Sequence, residues 1–122
     1  MRYVFSHIIV LYFSIFGILA QTISLVPFPS EMKQGVGVFT LTSAVKIVLK
    51  NDSTEIKKIC DSFLDLINPS AGKNIGYDSV SEFPVFVELN PEIAHPEGYY
   101  LKVTPKDITI QAQTPAGIFY AF

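Results

Sequence analysis

Three pairs of carboxylates are spaced closely enough along the sequence to be considered for acid–base chemistry. Hydrolysis of an acetal linkage by paired carboxylates requires two such groups facing each other across a binding cleft. One pair lies on the polar face of a predicted helix and the other two lie in predicted loops, where carboxylates are normally solvated. We therefore predict no catalytic carboxylate in this chain. The pairs are Asp61 with Asp65, Glu92 with Glu97, and Asp78 with Glu82.

Cys60 and His95 are the other candidates for nucleophilic or metal chemistry. Cys60 is the only cysteine, which excludes an internal disulfide and a cysteine-based metal cluster. It lies in the apolar stripe of a predicted helix, so we predict a core residue and not a nucleophile. His95 lies between Ala94 and Pro96 with no second histidine or cysteine nearby, and we predict a surface residue. The sequence thus predicts no metal and no cofactor.

Three aromatic residues raise the possibility of a stacking platform for sugar rings. Strand alternation predicts that one residue of the pair Tyr99 and Tyr100 faces the core, and that Tyr100 and Phe86 face outward. We favour an interface with a neighbouring domain over sugar binding for these outward residues. A glycosylation sequon occurs at 51–53, whereas Pro69 blocks the similar triplet at 68–70.

The N-terminus has the pattern of a secretory leader. Arg2 precedes an apolar run over 8–19, and Ala20 is a suitable last residue, which predicts a signal peptide over 1–20. An uncleaved anchor is the alternative. The chain has 122 residues, a formal net charge of −2 and no basic cluster, so it offers one small domain and no electrostatic basis for nucleic-acid binding.

The middle of the chain alternates between strand and helix patterns. Pro27 and Pro29 predict an extended opening segment, and period-two alternation predicts strands over 38–41, 45–50 and 84–89, with a short edge strand near 74–77. A helix is predicted over 53–67, with Asp52 as N-cap and Pro69 as its stop signal. One face of that helix is apolar at helical spacing: Ile56, Ile59, Cys60, Phe63, Leu64 and Ile67.

The last 25 residues have the clearest local pattern. Two alternating segments, 99–104 and 108–113, flank a three-residue connection, which predicts an antiparallel hairpin. Thr114 and Pro115 suit the N-cap and first position of a second, apolar helix. Because the sequence ends within that helix, we expect a fragment of a larger protein. The predicted fold is α+β: a mainly antiparallel sheet of about five strands with two helices packed on one face.

Three stretches together resemble a known family. The pattern GYxLxVxxxxIxIxAxTxAGxFYA at 98–121, with LVPFPSEM at 25–32 and GVFTL at 37–41, resembles the N-terminal domain of family 20 glycoside hydrolases, the β-N-acetylhexosaminidases. The resemblance assigns 21–122 to this non-catalytic domain, whose partner is the catalytic barrel of the same parent chain. It implies a parent enzyme that removes terminal N-acetylhexosamine from glycans without a cofactor, with retention and with the substrate's acetamido group as nucleophile.

The family's catalytic Asp-Glu pair belongs to the barrel, and no Asp-Glu or Glu-Asp dipeptide occurs here. No catalytic role is therefore transferred to any residue, and the resemblance implies that this chain alone is inactive. The parent would be exported to the periplasm or the cell exterior, or to the lysosome in a eukaryote. A stand-alone carbohydrate-binding or adhesion module on the cell surface is the alternative function.

Overall fold

The computed structural model of the protein describes residues 29–51 and 53–122. The chain divides into two compact units, 1–33 and 34–122, and every element named below belongs to the second. The predicted signal peptide and the start of the predicted opening segment lie outside the described residues.

Five strands and two helices are present in the described part of the chain, which confirms the predicted α+β class. Phe39 and Leu41, predicted as part of a first strand, pack half-buried against the core without entering the sheet. In chain order the elements are β1 (Val45–Leu49), α1 (Thr54–Ala71), β2 (Gly76–Tyr77), β3 (Phe83–Leu89), β4 (Tyr99–Val103), β5 (Ile108–Ala112) and α2 (Pro115–Ala121).

The sheet is mostly parallel, so the prediction of a mainly antiparallel sheet is wrong in this detail. Its strand order is β2-β1-β3-β5-β4. β1 pairs in parallel with β2 and with β3, and β3 pairs in parallel with β5. Only the hairpin of β4 and β5 is antiparallel, as predicted.

The physical reason for this order lies in the two connections. α1 is a crossover that returns the chain to the same end of the sheet, which makes β2 parallel to β1. The loop from 90 to 98 then carries the chain past one strand position. As a result β5, whose Ile110 and Ala112 are buried, takes the inner place beside β3, and the fully exposed β4 becomes the edge.

α1 differs from its prediction at both ends. Its N-cap is Ser53, one residue after the predicted one, and the Ser53 hydroxyl accepts a hydrogen bond from the Ile56 N–H at 3.4 Å. The helix also continues through Pro69, because in the last turn a missing N–H removes only one intrahelical bond. Gly72, left-handed at φ 61°, closes the helix, and the Lys73 N–H donates to the Asn68 carbonyl at 3.0 Å.

The core lies between the sheet and the two helices, so both helices cover the same face. Neighbouring strands contribute side chains in register, with Ile47 beside Val85 and Val87 beside Ile110. α1 contributes the predicted stripe, of which Ile56, Cys60 and Leu64 are buried, and α2 contributes Ile118.

The opposite face of the sheet is polar and carries no helix in the described residues. Lys50 lies over the Phe86 ring with its Nζ 4.6 Å from the ring centroid. Gln111 donates a hydrogen bond to Glu88 on the neighbouring strand. The sheet therefore has one packed face and one face of mixed polar and aromatic character.

Candidate functional site

Five of the six carboxylates in the three pairs are exposed in the fold, and the sixth, Asp61, is half-buried. Glu92 and Glu97 are exposed in the loop before β4, and Asp78 and Glu82 are exposed in the loop between β2 and β3. Asp65 is also exposed, on the outer face of α1. These positions offer no pair of carboxylates that could act on one substrate.

Asp61 is the exception, because it belongs to a cluster that ties β2 to α1. The Tyr77 hydroxyl donates to Asp61 Oδ1 at 2.7 Å, and Lys57 Nζ donates to both carboxylate oxygens at 3.3 and 3.1 Å. Lys57 Nζ also lies 4.6 Å from the centroid of the Tyr77 ring. Asp61 was predicted on the solvated face of the helix, and Tyr77 was not predicted as its partner. Tyr77 lies 16 positions away along the chain, and no local sequence pattern relates residues at that separation.

The cluster shifts the protonation of both partners. The hydrogen bond from Tyr77, followed by the one from Lys57, lowers the pKa of Asp61 below its ordinary value of 3.8. Burial, and then the hydrogen bond to Asp61, raises the pKa of Tyr77 above its ordinary value of 10.0. Both shifts favour the pairing of an ionised carboxylate with a protonated phenol, which fixes a strand only two residues long.

We expect an acid-dependent difference in stability between the protein and its Asp61→Asn variant. The folded-state pKa of Asp61 is lowered, so its contribution is present above pH 3.8 and is lost as the pH falls through the folded-state value. Urea unfolding at about pH 7 should therefore show a less stable variant, and the difference should shrink progressively as the pH is lowered below 3.8. A difference that stays constant across this range would contradict the assigned pairing.

Cys60 is buried in the core, as predicted. Burial is the main cause that raises the pKa of its thiol to about 11, so the thiolate is scarce near neutral pH. We expect a thiol reagent to modify native protein at pH 8 at least a hundredfold more slowly than protein unfolded in urea (an order-of-magnitude estimate from burial). Equal rates in both states would show that Cys60 is accessible.

His95 is exposed in the loop before β4, as predicted, and serves the loop's own structure. Its Nδ1 accepts a hydrogen bond from the Glu97 N–H at 3.2 Å, and its carbonyl accepts one from the Gly98 N–H at 2.8 Å. In the described residues no group of three or more His, Cys, Asp or Glu side chains is close enough to hold a metal ion.

The sequon at 51–53 is used structurally at both of its ends. Asn51 Oδ1 accepts a hydrogen bond from the Leu89 N–H at 2.7 Å, which joins the end of β1 to the end of β3. Ser53 caps α1. Asp52 lies outside the described residues.

One concavity lies at the carboxyl ends of β1 and β2. It has a volume of about 590 Å³ and includes Lys50, Lys57, Asp78 and Ser79 in its lining. Ligands often bind at the carboxyl ends of parallel strands. Here, however, the space is open to solvent, and Lys57 already pairs with Asp61. We therefore do not assign a ligand-binding site to this concavity.

The aromatic residues are arranged differently from the prediction. Tyr99 lies on the packed face of the sheet and Tyr100 on the polar face, but 37% and 51% of their surfaces are accessible, so neither is buried in the core. β4 is an edge strand, and its inward-directed side chains lie beyond the central strands that α1 covers. Phe86 is half-buried on the polar face under Lys50.

The most distinctive surface is apolar and spans the end of α2 and the edge of the sheet. Phe119 and Tyr120 on α2 are 62% and 52% exposed, and Leu101 and Val103 on β4 are exposed as well. We call these four residues, with Tyr99, the apolar surface. Isolated exposed apolar residues are ordinary, but a contiguous set of this size marks an interaction site.

A groove of about 290 Å³ lies next to this surface. Leu101 and Val103 of β4, Ile108 and Ile110 of β5 and the end of α2 at Phe122 contribute to its lining. The rings of Phe63 and Phe122 stack at its margin with their centroids 4.5 Å apart. Nearly all of the lining is aliphatic or aromatic, so the groove suits apolar side chains of a partner and holds no catalytic group.

No helix of the described residues combines the length and the hydropathy that a bilayer crossing requires. The apolar surface includes the exposed aromatic side chains Phe119 and Tyr120, a composition that suits contact with protein. Aromatic side chains are enriched at protein interfaces and lysine and glutamate are depleted there.

Comparison with known proteins gives a consistent result. The family model described as "Glycosyl hydrolase family 20, domain 2" matches residues 22–122. The N-acetyl-beta-hexosaminidase of Streptomyces plicatus, solved with Thio-NAglucal, is similar with a TM-score of 0.68 and 26% identity, over 75% of this chain and 18% of that chain. The GH20 beta-N-acetylhexosaminidase of Streptomyces coelicolor A3(2) gives the same four values.

The Flavobacterium johnsoniae chitobiase shares the fold with a TM-score of 0.63 at 23% identity, over 79% of this chain and 16% of that chain. This chain therefore spans less than a fifth of each of these three structures. No curated protein matches the sequence.

Proposed function

The chain belongs to the family described as glycosyl hydrolase family 20, domain 2, which makes it an accessory domain of a glycosidase, and we propose that its parent enzyme is an exported β-N-acetylhexosaminidase. Support for the enzyme class comes from the N-acetyl-beta-hexosaminidase of Streptomyces plicatus, which is similar at 26% identity. Support for export comes from the leader pattern over 1–20.

The domain's own role in this proposal is to pack against a catalytic barrel in the same parent chain. The observation that carries it is the apolar surface at the end of α2 and the edge of β4, where two aromatic residues of a seven-residue helix are more than half exposed. Covering such side chains is favourable by roughly 25 cal/mol per Å² of apolar area. A domain that uses its apolar surface in this way stabilises the barrel and contributes no catalytic group.

The chemistry of the parent enzyme would reside entirely in the barrel. In the proposed reaction an Asp-Glu pair there orients the substrate's acetamido group and transfers the proton, with retention at the anomeric carbon. The carboxylates of the three candidate pairs are exposed in the present chain except Asp61, which is engaged with Tyr77 and Lys57. Periplasmic, extracellular or lysosomal location would follow from the leader and the host.

A hydrolysis assay tests this assignment. We expect the 122-residue chain to release no product from a chromogenic N-acetylglucosaminide, and the protein expressed from the complete reading frame to release it. A matched control is a chromogenic glucoside, which lacks the acetamido group and should be a poor substrate for substrate-assisted catalysis. Hydrolysis by the 122-residue chain alone, or reproducible binding of this chain to a glycan array, would instead support an independent enzyme or a carbohydrate-binding module.

A pair of surface substitutions tests the packing role. Tyr120→Ser should change the stability of the isolated chain by no more than about 0.5 kcal/mol, because the side chain is largely exposed. In the parent enzyme the same change should lower the melting temperature by several degrees, because the ring would be buried there. Val80→Ser is the control, because Val80 is exposed in the loop between β2 and β3. It should have little effect in either protein. Equal small effects of Tyr120→Ser in both would contradict the packing role.

A further inference from the structure

The backbone of β4 forms an open edge of the sheet. This edge is distinct from the side chains that make up the apolar surface. β4 is last in the strand order, and β5 is its only pairing partner in the described residues. All five of its residues are exposed. A long apolar edge strand presents unpaired backbone groups that can accept another strand.

The hydrogen-bond pattern shows which backbone groups point outward. The Thr104 N–H donates to the Asp107 carbonyl at 2.9 Å, so this opposed pair is a hydrogen-bonded one. Hydrogen-bonded and non-hydrogen-bonded pairs alternate along an antiparallel ladder. The backbone groups of Lys102 and Tyr100 therefore face β5, and those of Tyr99, Leu101 and Val103 face the open edge.

We propose that β4 pairs antiparallel with β4 of a second copy of this chain, around a two-fold axis at Leu101. In that register each outward-facing residue meets another outward-facing one. Leu101 meets the second copy's Leu101, and Tyr99 meets the second copy's Val103. The three outward-facing residues of each strand can thus satisfy their backbone groups in the other copy.

The side chains are self-complementary in the same register. On the packed face of the sheet the opposed pairs are Leu with Leu and Tyr with Val, which are favourable cross-strand pairs. On the polar face Lys102 of each copy meets Tyr100 of the other, in the non-hydrogen-bonded positions where side chains approach most closely. A lysine ammonium over a tyrosine ring is attractive.

Shifting the register by two residues removes these advantages. One shift places Lys102 opposite Lys102, which is unfavourable, and Tyr99 opposite Pro105, which has no N–H to donate. The other shift places Tyr100 opposite Tyr100, but it leaves Lys102 opposite Gly98, outside β4, and shortens the ladder from five opposed pairs to three. The sequence of β4 therefore specifies one pairing with a copy of itself.

This inference does not depend on the proposed function. Edge pairing uses the outward backbone groups of β4 and extends the sheet in its own plane. The proposed barrel would instead cover the apolar side chains of β4 and α2 on the face that carries the helices. The interface is small, so we expect a weak dimer with a dissociation constant in the range of about 10 to 100 μM.

Sedimentation velocity of the full chain, expressed with its own N-terminal segment, tests the proposal. Between about 1 and 200 μM the protein should pass from monomer to dimer. Tyr100→Lys places like charges opposite each other and should raise the dissociation constant by about tenfold. Adding Lys102→Glu to that variant places Lys opposite Glu and should return the constant to within about threefold of the original.

Two further variants keep the result interpretable. Ser79→Lys adds the same charge at the opposite edge of the sheet, at an exposed residue, and should leave association unchanged. Leu101→Pro removes an outward N–H that β5 does not use and should abolish the dimer, while circular dichroism confirms that the sheet persists. A monomer at all concentrations would overturn the proposal, as would a dimer that Tyr100→Lys leaves unchanged or that the double variant fails to restore.

Discussion

A Gly117→Ala variant should unfold at a clearly lower urea concentration than the natural chain, with a net loss of about 2 kcal/mol. Gly117 is buried in α2 where the helix crosses the end of the sheet. A β-carbon there would lie 2.5 Å from the Gly98 carbonyl oxygen and 2.7 Å from the Ala112 β-carbon. Ala112 belongs to β5 and Gly98 directly precedes β4, so α2 itself would have to move away from these two strands.

The sign of this prediction is informative because alanine favours helices by about 1 kcal/mol over glycine. A helix without close packing would therefore be stabilised by the substitution. Ala116→Ser is the matched control, since it also adds one heavy atom but at an exposed position of the same helix. A variant at Gly117 that is as stable as the control, or more stable, would show that α2 does not pack this closely.

An Ile47→Ala variant should lose about 3 to 4 kcal/mol of unfolding free energy. Ile47 is 1% exposed, and its strand lies between β2 and β3, so the cavity has rigid walls on both sides. For a small domain this loss is a large fraction of the total stability. Urea unfolding followed by circular dichroism measures it directly.

Ile47→Val is the control, because it removes one methylene and keeps the β-branched shape. It should cost about 1 kcal/mol. If alanine and valine cost the same amount, the site must collapse around the smaller side chain, and the close packing assigned to β1 would be wrong.

Local patterns predicted the elements of this fold well. The spacing of Ile56, Cys60 and Leu64 predicted a helix with a buried stripe, and those three residues are buried in α1. The hairpin at 99–112 was predicted from alternation around a short connection, and its antiparallel pairing is confirmed. These features depend on contacts within one helical turn or across one tight turn, which sequence order specifies directly.

Strand order was not predictable in the same way. The pairing of Val45 with Phe83 joins residues 38 positions apart, and the pairing of Val85 with Ile108 passes over the whole of β4. Nothing in the alternation of a strand states which neighbour it chooses or in which direction. The end of α1 was also not predicted, and there Asn68 Nδ2 donates to the Ile75 carbonyl and Asn68 Oδ1 accepts from the Ile75 N–H, each at 2.8 Å.

The sequence predicted an interface but not the residues that form the apolar surface. The sequence favoured an interface at Tyr100 and Phe86, whereas the apolar surface consists of other residues, among them Leu101, Phe119 and Tyr120. Alternation predicted that Tyr100 faces outward and so that Tyr99 faces the core, but alternation reports which face a side chain occupies and not whether that face is covered. Coverage depends on strand order, and β4 is at the edge.

Hydroxyl-radical footprinting of Tyr120 tests most directly whether the apolar surface packs against a catalytic domain. The 122-residue chain should be labelled readily at Tyr120, which is 52% exposed, and at Val80, which is 80% exposed. In the protein expressed from the complete reading frame, labelling of Tyr120 should fall by about tenfold while labelling of Val80 stays the same (an order-of-magnitude expectation for a buried interface residue). Equal labelling of Tyr120 in both proteins would contradict the account.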